Sequence, residues 1–175
     1  MARLHFVKKA RKADKAAGIK KGDSYYWWKF MVGGRGGVKR KSKVKPRRSS
    51  LTQSEFLAAM YDAEDDLAVV LAAFESDGDF EELATACESA SEMVRQTGED
   101  CQSKYDNMPD GLQQGDTGQL LEQRVQQADE IADELENAAT NIRDAMPDTD
   151  ASKEEQEQAR TNAAGEAESI SWDYE

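Results

Sequence analysis

The amino-acid sequence predicts a mainly α-helical protein: an acidic antiparallel helical bundle or coiled coil of three to four helices, preceded by a small basic α+β arm. The first observation behind this is charge. Residues 1–50 hold 17 of the 23 Lys and Arg residues but two of the 35 acidic residues. Their formal charge is +15, the remainder carries −27, and the whole chain carries −12. Because both signs usually mix over the surface of one globular domain, this division indicates two parts.

The second observation is periodicity, since apolar residues recur at helical spacing through most of the chain after the arm. The third is an aromatic segment inside the arm, which is typical of a strand. Together they predict a basic aromatic arm at 1–50 and an acidic bundle at 51–146. A weak helix and a mobile acidic tail are expected at 147–175.

The arm is expected to contain a short helix and one β-hairpin. Apolar residues at helical spacing within 3–21 predict a basic helix that ends near Gly18. Aromatic and β-branched side chains in 24–32 predict a strand. The glycine-rich residues 33–37 predict a turn, and the Lys and Arg residues of 38–44 predict the second strand of the hairpin.

Two helices are predicted to open the bundle. Thr52 is expected as the N-cap of the first, with Glu55 completing a capping box. The second is expected to begin at Asp79 and to be followed by a loop at 106–117. The apolar stripe of the first helix contains Phe56, Met60, Ala63, Leu67, Val70, Leu71 and Phe74, and that of the second contains Leu83, Cys87, Ala90, Val94 and Cys101.

The third helix is predicted from the most regular pattern, an apolar series that alternates spacings of four and three up to Met146. A seam of this kind is typical of a coiled coil. The candidate self-association residues are Leu121, Val125, Ala128, Ala132, Leu135, Ala139 and Ile142. The favoured alternative is that this seam packs within the bundle. Ser152 and Glu155 predict a capping box for a weak fourth helix. The tail beyond Gly165 is expected to be mobile except around Ile170 and Trp172.

Enzyme chemistry has little support in the residues. His5 is the only histidine, so a His-activated nucleophile or a zinc site would depend on it alone. Cys87 lies on an apolar stripe and is expected to be a buried small hydrophobe. The acidic helices lack the Glu-x-x-His partners of bundle metal sites, and the glycine-rich turn leads into no phosphate-binding motif. We therefore expect no enzyme, no metal and no cofactor.

The aromatic and basic residues of the arm indicate nucleic acid, because bases stack on rings and phosphates attract cations. Alternation along a strand places Tyr25, Trp27 and Lys29 on one face. Tyr26, Trp28 and Phe30 lie on the other. The candidate nucleic-acid-binding residues are Tyr25, Tyr26, Trp27, Trp28, Lys29, Arg35, Lys39, Arg40, Lys41, Lys43, Arg47 and Arg48. The alternative, given equal weight, is that these aromatic residues form the core of a small module.

The run GDSYYWWKF at 22–30, continued by PRRSSLTQSEF at 46–56, resembles a family of small phage and prophage proteins. The resemblance covers roughly residues 4–66. It implies an accessory or virion role and a location in the bacterial host cytoplasm, or in the virion for a structural protein. It carries over no catalytic or binding residue.

The residues leave three non-enzymatic functions open. The first is an accessory protein whose partner is nucleic acid or a nucleic-acid-binding host protein complex, with a homo-oligomer as a further candidate. The second is a virion assembly, scaffold or capsid-associated protein. The third is an acidic DNA mimic that inhibits a host nuclease or polymerase. Two cysteines are too few for a disulfide framework, and no apolar run could span a bilayer, so we expect a reducing compartment and no membrane partner.

Overall fold

The structure, a computed structural model, describes residues 1–31, 36–148 and 150–174. The chain is mainly helical, with 61% of its residues in helices, and its described part contains five α-helices and one three-stranded antiparallel sheet. Residue contacts divide it into two compact units, Met1–Asp62 and Ala63–Glu175. We call these the basic unit and the acidic unit, because their formal charges are +13 and −25.

The sheet of the basic unit contains strands β1 (His5–Val7), β2 (Tyr25–Met31) and β3 (Gly37–Ser42), in that order across the sheet. The predicted strand and hairpin are thereby confirmed. Both neighbours of the central strand β2 are antiparallel to it. The predicted glycine turn falls largely on residues 32–35, which lie outside the described residues.

The predicted helix at 3–21 is wrong. Residues 8–24, which we call the basic loop, connect β1 to β2 as an irregular extension of that strand pair. The Ala10 N–H donates to the Asp23 carbonyl, and the Gly22 N–H donates to the Ala10 carbonyl. Residues 5–7 pair with β2, and Asp14 and Ile19 exchange backbone hydrogen bonds of 2.8 and 2.9 Å, so these backbone groups are not available to a helix. Long-range strand pairing thus overrides a short helical pattern.

The core of the basic unit lies on one side of its sheet. Trp28 and Phe30, which alternate along β2, are buried. Ile19 of the basic loop is also buried, as are Phe56 and Met60 from the first turns of the following helix. The buried apolar residues of the basic unit therefore extend beyond residue 50.

The first long helix, α1 (Glu55–Asp77), follows a 3₁₀ helix at Arg48–Leu51. Its predicted N-cap at Thr52 is wrong by two residues. The Ser54 hydroxyl accepts the Leu57 N–H at 3.3 Å, as an N-cap does. Thr52 instead adopts an extended backbone that ends the 3₁₀ helix, and its hydroxyl accepts the Ser54 N–H.

The remaining helices are α2 (Phe80–Asp106), α3 (Asp110–Gln113), α4 (Asp116–Asp144) and α5 (Lys153–Glu168). The Asp79 cap of α2 and the capping box of α5 at Ser152 and Glu155 are confirmed. The short α3 lies inside the segment predicted as a loop. Helix α5 also continues through Gly165, because exposed helix positions tolerate a glycine at modest cost. Ile170, beyond the end of α5, is buried.

Helices α2 and α4 pack closely and run antiparallel, as three contacts along their length show. Near one end, Arg143 of α4 binds Glu81 and Glu88 of α2. Midway, the buried Ser91 hydroxyl donates to the Ala132 carbonyl at 3.0 Å. Further along, Gly98 of α2 faces Ala128 of α4. At the second and third contacts the facing residues are small, and this allows the close approach.

Helix α5 runs antiparallel to α4. The Asn141 amide donates to Glu166 at 2.8 Å, and the Ser171 N–H donates to Glu134 at 2.9 Å. In the described residues, no helix combines the length and the apolar character that a membrane crossing requires.

Candidate nucleic-acid interface

The strand register divides the side chains of the sheet between two faces, since directly paired residues point the same way. We call one the aromatic face; its members are His5, Tyr25, Trp27, Lys29, Lys39 and Lys41. The opposite face carries Phe6, Tyr26, Trp28, Phe30 and Arg40. The alternation predicted for β2 therefore holds, and the predicted binding residues are distributed over both faces.

Trp27 lies at the centre of the aromatic face and is covered by its neighbours. The His5 ring stacks on it with a centroid separation of 4.1 Å and an interplanar angle of 9°. The Lys39 ammonium lies 3.9 Å from the centroid of the same indole. Because these residues come from the strands on either side of β2, they cover both ring faces. A base can stack on Trp27 only by displacing His5 or Lys39.

Trp28 lies on the core side and is 5% exposed. This burial agrees with the alternative in which the aromatic residues form the core of a small module. Tyr25 and Tyr26 are half-buried. Phe6 is 53% exposed, and the centroid of its ring lies 4.9 Å from that of the Tyr26 ring. The sequence analysis did not include Phe6 among the binding residues.

Ion pairs engage three of the predicted binding cations. Lys41 binds Asp14 at 2.5 Å and Lys43 binds Asp23 at 2.7 Å. Arg47 lies 3.7 Å from the carboxylate of Asp62. These three acids hold β3 and the segment after it to the rest of the basic unit.

Each of the two acids of the basic loop, Asp14 and Asp23, forms an ion pair with a lysine. The hydrogen bond from the Lys41 ammonium is the main cause that lowers the pKa of Asp14, and the Ala17 N–H adds to it. The hydrogen bond from Lys43 lowers the pKa of Asp23 in the same way. Both carboxylates stay charged at neutral pH, so each locally cancels one lysine of β3 or its extension.

The other predicted cations differ in their surroundings. Lys29, Lys39 and Arg40 are exposed, and within the described residues none of them has an acidic partner. Arg48 lies over the Tyr61 ring at 4.9 Å. Arg35 falls outside the described residues.

Sequence reasoning missed the cations of the basic loop as binding residues. All seven are exposed, and none forms a salt bridge within the part of the chain that the structure describes. They are Lys8, Lys9, Arg11, Lys12, Lys15, Lys20 and Lys21. The density of Lys and Arg in 8–21 was the available signal, but the sequence analysis assigned these residues to a basic helix and did not include them among the binding residues.

A scan against protein-family models found no match to the chain, and searches of curated proteins and of solved structures found no similar protein. The arrangement of charge in the basic unit therefore carries the functional argument.

The described residues of the acidic unit include no comparable run of exposed cations. The candidate self-association residues lie on α4, where all but Val125, which is half-buried, are buried within the single chain. A second copy could contact them only if the helices part, and self-association through this seam stays a prediction. Among the described residues, no group of His, Cys, Asp and Glu is arranged to hold a metal ion.

Proposed function

We propose that this is a non-enzymatic accessory protein that binds nucleic acid through its basic unit, chiefly by contacts to the phosphate backbone. The observation that carries the proposal is the basic loop. Its seven exposed cations have no salt-bridge partner within the described residues, while its two acids pair with Lys41 and Lys43. The net charge of this unit is therefore concentrated on side chains that remain available to phosphate.

The aromatic geometry favours backbone contact over base stacking. Trp28 is buried, and the two faces of Trp27 are occupied by His5 and Lys39. A stacking platform needs open ring faces, whereas phosphate contact needs exposed cations. Binding through the backbone is insensitive to base sequence, so we expect little discrimination between oligonucleotides of different sequence.

We further propose that α1, α2, α4 and α5 form an antiparallel bundle that serves protein–protein contacts. The antiparallel packing of α2 on α4 and of α5 on α4 supports this. The resemblance of the segment at 22–56 suggests a phage-encoded protein acting in the bacterial host cytoplasm.

Binding is measured by fluorescence anisotropy of labelled single-stranded and duplex oligonucleotides, titrated with the full chain at several salt concentrations. Log affinity should fall linearly with log salt, with a slope of about −0.9 for each phosphate neutralised on a duplex. The triple variant Lys8→Gln, Lys9→Gln, Lys12→Gln should weaken binding and reduce this slope by about 3.

The matched control is Lys153→Gln at the start of α5, an exposed lysine of the acidic unit. It removes one positive charge of the same chemistry and should leave both affinity and slope unchanged. Absence of binding at about 50 mM salt would contradict the proposal. If the control and the triple variant lost the same affinity for each charge removed, binding would depend on the net charge of the protein and not on the basic loop.

A further inference from the structure

A mostly apolar groove lies between the first two long helices, within the acidic unit, and has a volume of about 240 Å³. We call it the α1–α2 groove. Its lining residues recur at spacings of three and four on each helix, over about two helical turns. On α1 they are Ala63, Asp66, Leu67 and Val70, and on α2 they are Ala86, Ser89, Ala90 and Met93.

Apolar surface at this groove is left uncovered by the chain itself. Leu67 is buried at its base, but Val70 is half-buried and Met93 is 40% exposed. Residues 67–74 of α1 are all apolar, yet residues 68, 69, 72 and 73 are exposed. A helix segment that is apolar on all sides is normally enclosed by other elements. This side of α1 therefore lacks a covering element within the described residues.

The charge around the α1–α2 groove favours a cationic partner. Residues 63–94 contain ten Asp and Glu residues and no Lys or Arg. From elsewhere in the unit, Arg143 of α4 pairs with Glu81 and Glu88. Glu82 and Glu92 are exposed and form no salt bridge within the described residues. These two carboxylates are therefore available to a partner.

Both of these glutamates lie one turn beyond lining residues of α2. Glu82 precedes Ala86 by four positions and Glu92 follows Ser89 by three, so they lie on the groove side of the helix. An apolar groove flanked by carboxylates suits a helix with an apolar stripe and with Lys or Arg at the neighbouring positions. Met93 adds a flexible side chain that adapts to different apolar surfaces.

Other occupants fit these charges less well. Nucleic acid and anionic lipid surfaces are repelled by carboxylates. The helices α2–α5 of a second copy belong to an acidic unit of formal charge −25, so two such units repel each other. The basic unit contains, in its described residues, strands, a 3₁₀ helix and the first turns of α1, and none of these is a basic α-helix.

We propose that the α1–α2 groove binds a basic amphipathic helix of another protein, an inference that rests on the proposed role of the helices in protein–protein contacts. The apolar stripe of that helix contacts Val70 and Met93, and its Lys or Arg residues pair with Glu82 and Glu92. Nucleic acid and the protein partner are then bound by different units of the chain.

The test uses a synthetic peptide of about 18 residues, or five helical turns, with leucine at spacings of three and four and lysine elsewhere. It is titrated into the full chain, whose six methionine methyl groups carry ¹³C and are assigned by substitution. The Met93 signal should shift with saturation. Met146 is the internal control, because it is 45% exposed and lies beside Asp144 and Asp148 outside the groove. Equal shifts of the two signals would show attraction by charge alone and would overturn the proposal.

Affinities of variants supply the second readout. Met93→Gln should weaken peptide binding about three- to tenfold, whereas Met146→Gln should bind as the wild type does. Glu92→Gln should weaken binding up to about fivefold at low salt and less at high salt. Its matched control is Glu130→Gln, an exposed glutamate of α4, which should have no effect. A peptide of the same composition without an apolar stripe should bind about tenfold more weakly, and equal affinity of the two peptides would contradict a groove contact.

The remaining outcomes separate the groove from the broader proposals. If other signals shift but Met93 does not, the groove assignment is wrong and the role of the helices in protein–protein contacts stands. If no signal shifts at about 20 mM salt, where charge attraction is strong, that role has failed as well. Oligonucleotide binding is measured separately and is affected by neither result. Sedimentation equilibrium of the protein alone tests a second copy as the occupant, and a dimer that Met93→Gln dissociates would overturn the proposal.

Discussion

Gly98 determines how closely α2 can approach α4. A methyl group on its Cα would lie 2.9 Å from the Cβ of Ala128 in α4. Carbon atoms in favourable contact are about 3.5–4.0 Å apart, so the helices must separate or shift to accept it. Gly165 in α5 is the matched control, because a methyl group there meets nothing within 4 Å.

The magnitudes follow from two opposing effects. Replacing a helical glycine with alanine stabilises a helix by about 0.8–1.0 kcal/mol, and this is the whole effect expected for Gly165→Ala. Gly98→Ala has the same gain but overpacks the α2–α4 contact, which costs about 1–3 kcal/mol. The free energy of unfolding of Gly98→Ala should therefore lie about 1–3 kcal/mol below that of Gly165→Ala.

Urea unfolding followed by far-UV circular dichroism measures both variants, since the signal comes mainly from the helices. Combining Gly98→Ala with Ala128→Gly should recover part of the lost stability, because the second substitution removes the methyl group with which the new alanine side chain clashes. A double-mutant cycle would report this recovery as a non-additive term. Equal stabilisation by Gly98→Ala and Gly165→Ala, or strict additivity in the cycle, would refute the close packing of α2 and α4.

Two further predictions concern titrating groups. The lowered pKa values of Asp14 and Asp23 mean that their pairs with Lys41 and Lys43 stabilise the basic unit fully above the ordinary aspartate pKa of about 3.9. This stabilisation should be lost as the pH falls through the lowered pKa values. The Asp14→Asn variant should lack its part of the stabilisation already at neutral pH. An acid titration followed by tryptophan fluorescence measures the loss, and a titration curve identical to that of the wild type would contradict the pairing. Burial raises the pKa of the Cys87 thiol to about 11, so a disulfide-exchange reagent at neutral pH should label it only as fast as the helices open. Labelling should accelerate in urea, and rapid labelling of the native protein would show that Cys87 is not buried.

The helices could be predicted from the sequence because their signals are local. Asp79 and the Ser152–Glu155 pair cap the helices that follow them, as the short motifs indicate. The apolar periodicity of α2 and α4 also identified buried positions, since Leu83, Cys87 and Leu135 are fully buried. A helical stripe reports burial directly, without reference to distant residues.

The errors arise where a distant segment decides the local structure. At the start of the chain, His5 of β1 pairs with Trp27, and this contact across 22 positions of sequence replaces the predicted helix. At the start of α1, the Thr52–Glu55 motif satisfied the local rule, but Ser54 became the cap. Thr52 is held in the extended conformation after the 3₁₀ helix, whose Leu51 carbonyl accepts the Ala2 N–H.

The candidate site was predicted only in outline for a related reason. Alternation along β2 correctly separated Trp27 from Trp28, but aromatic residues occupy both faces, so the pattern did not reveal which face is the core. The ion pair between Lys41 and Asp14 joins residues 27 positions apart, and composition alone counts both as surface charges. The cations of the basic loop could be recognised as available to phosphate only once the ion pairs of the unit were known.

The minority charges in each unit have a different role from the majority charges. In the basic unit, the acids Asp14, Asp23 and Asp62 all bind cations that tie its segments together. In the acidic unit, Arg95 and Arg143 both bridge α2 and α4 through carboxylates. These paired minority charges thus connect segments of each unit, whereas the cations of the basic loop have no salt-bridge partner among the described residues. Substitution of Arg95 or Arg143 should therefore lower stability with little effect on salt-dependent binding, and substitution of a basic-loop lysine should do the reverse.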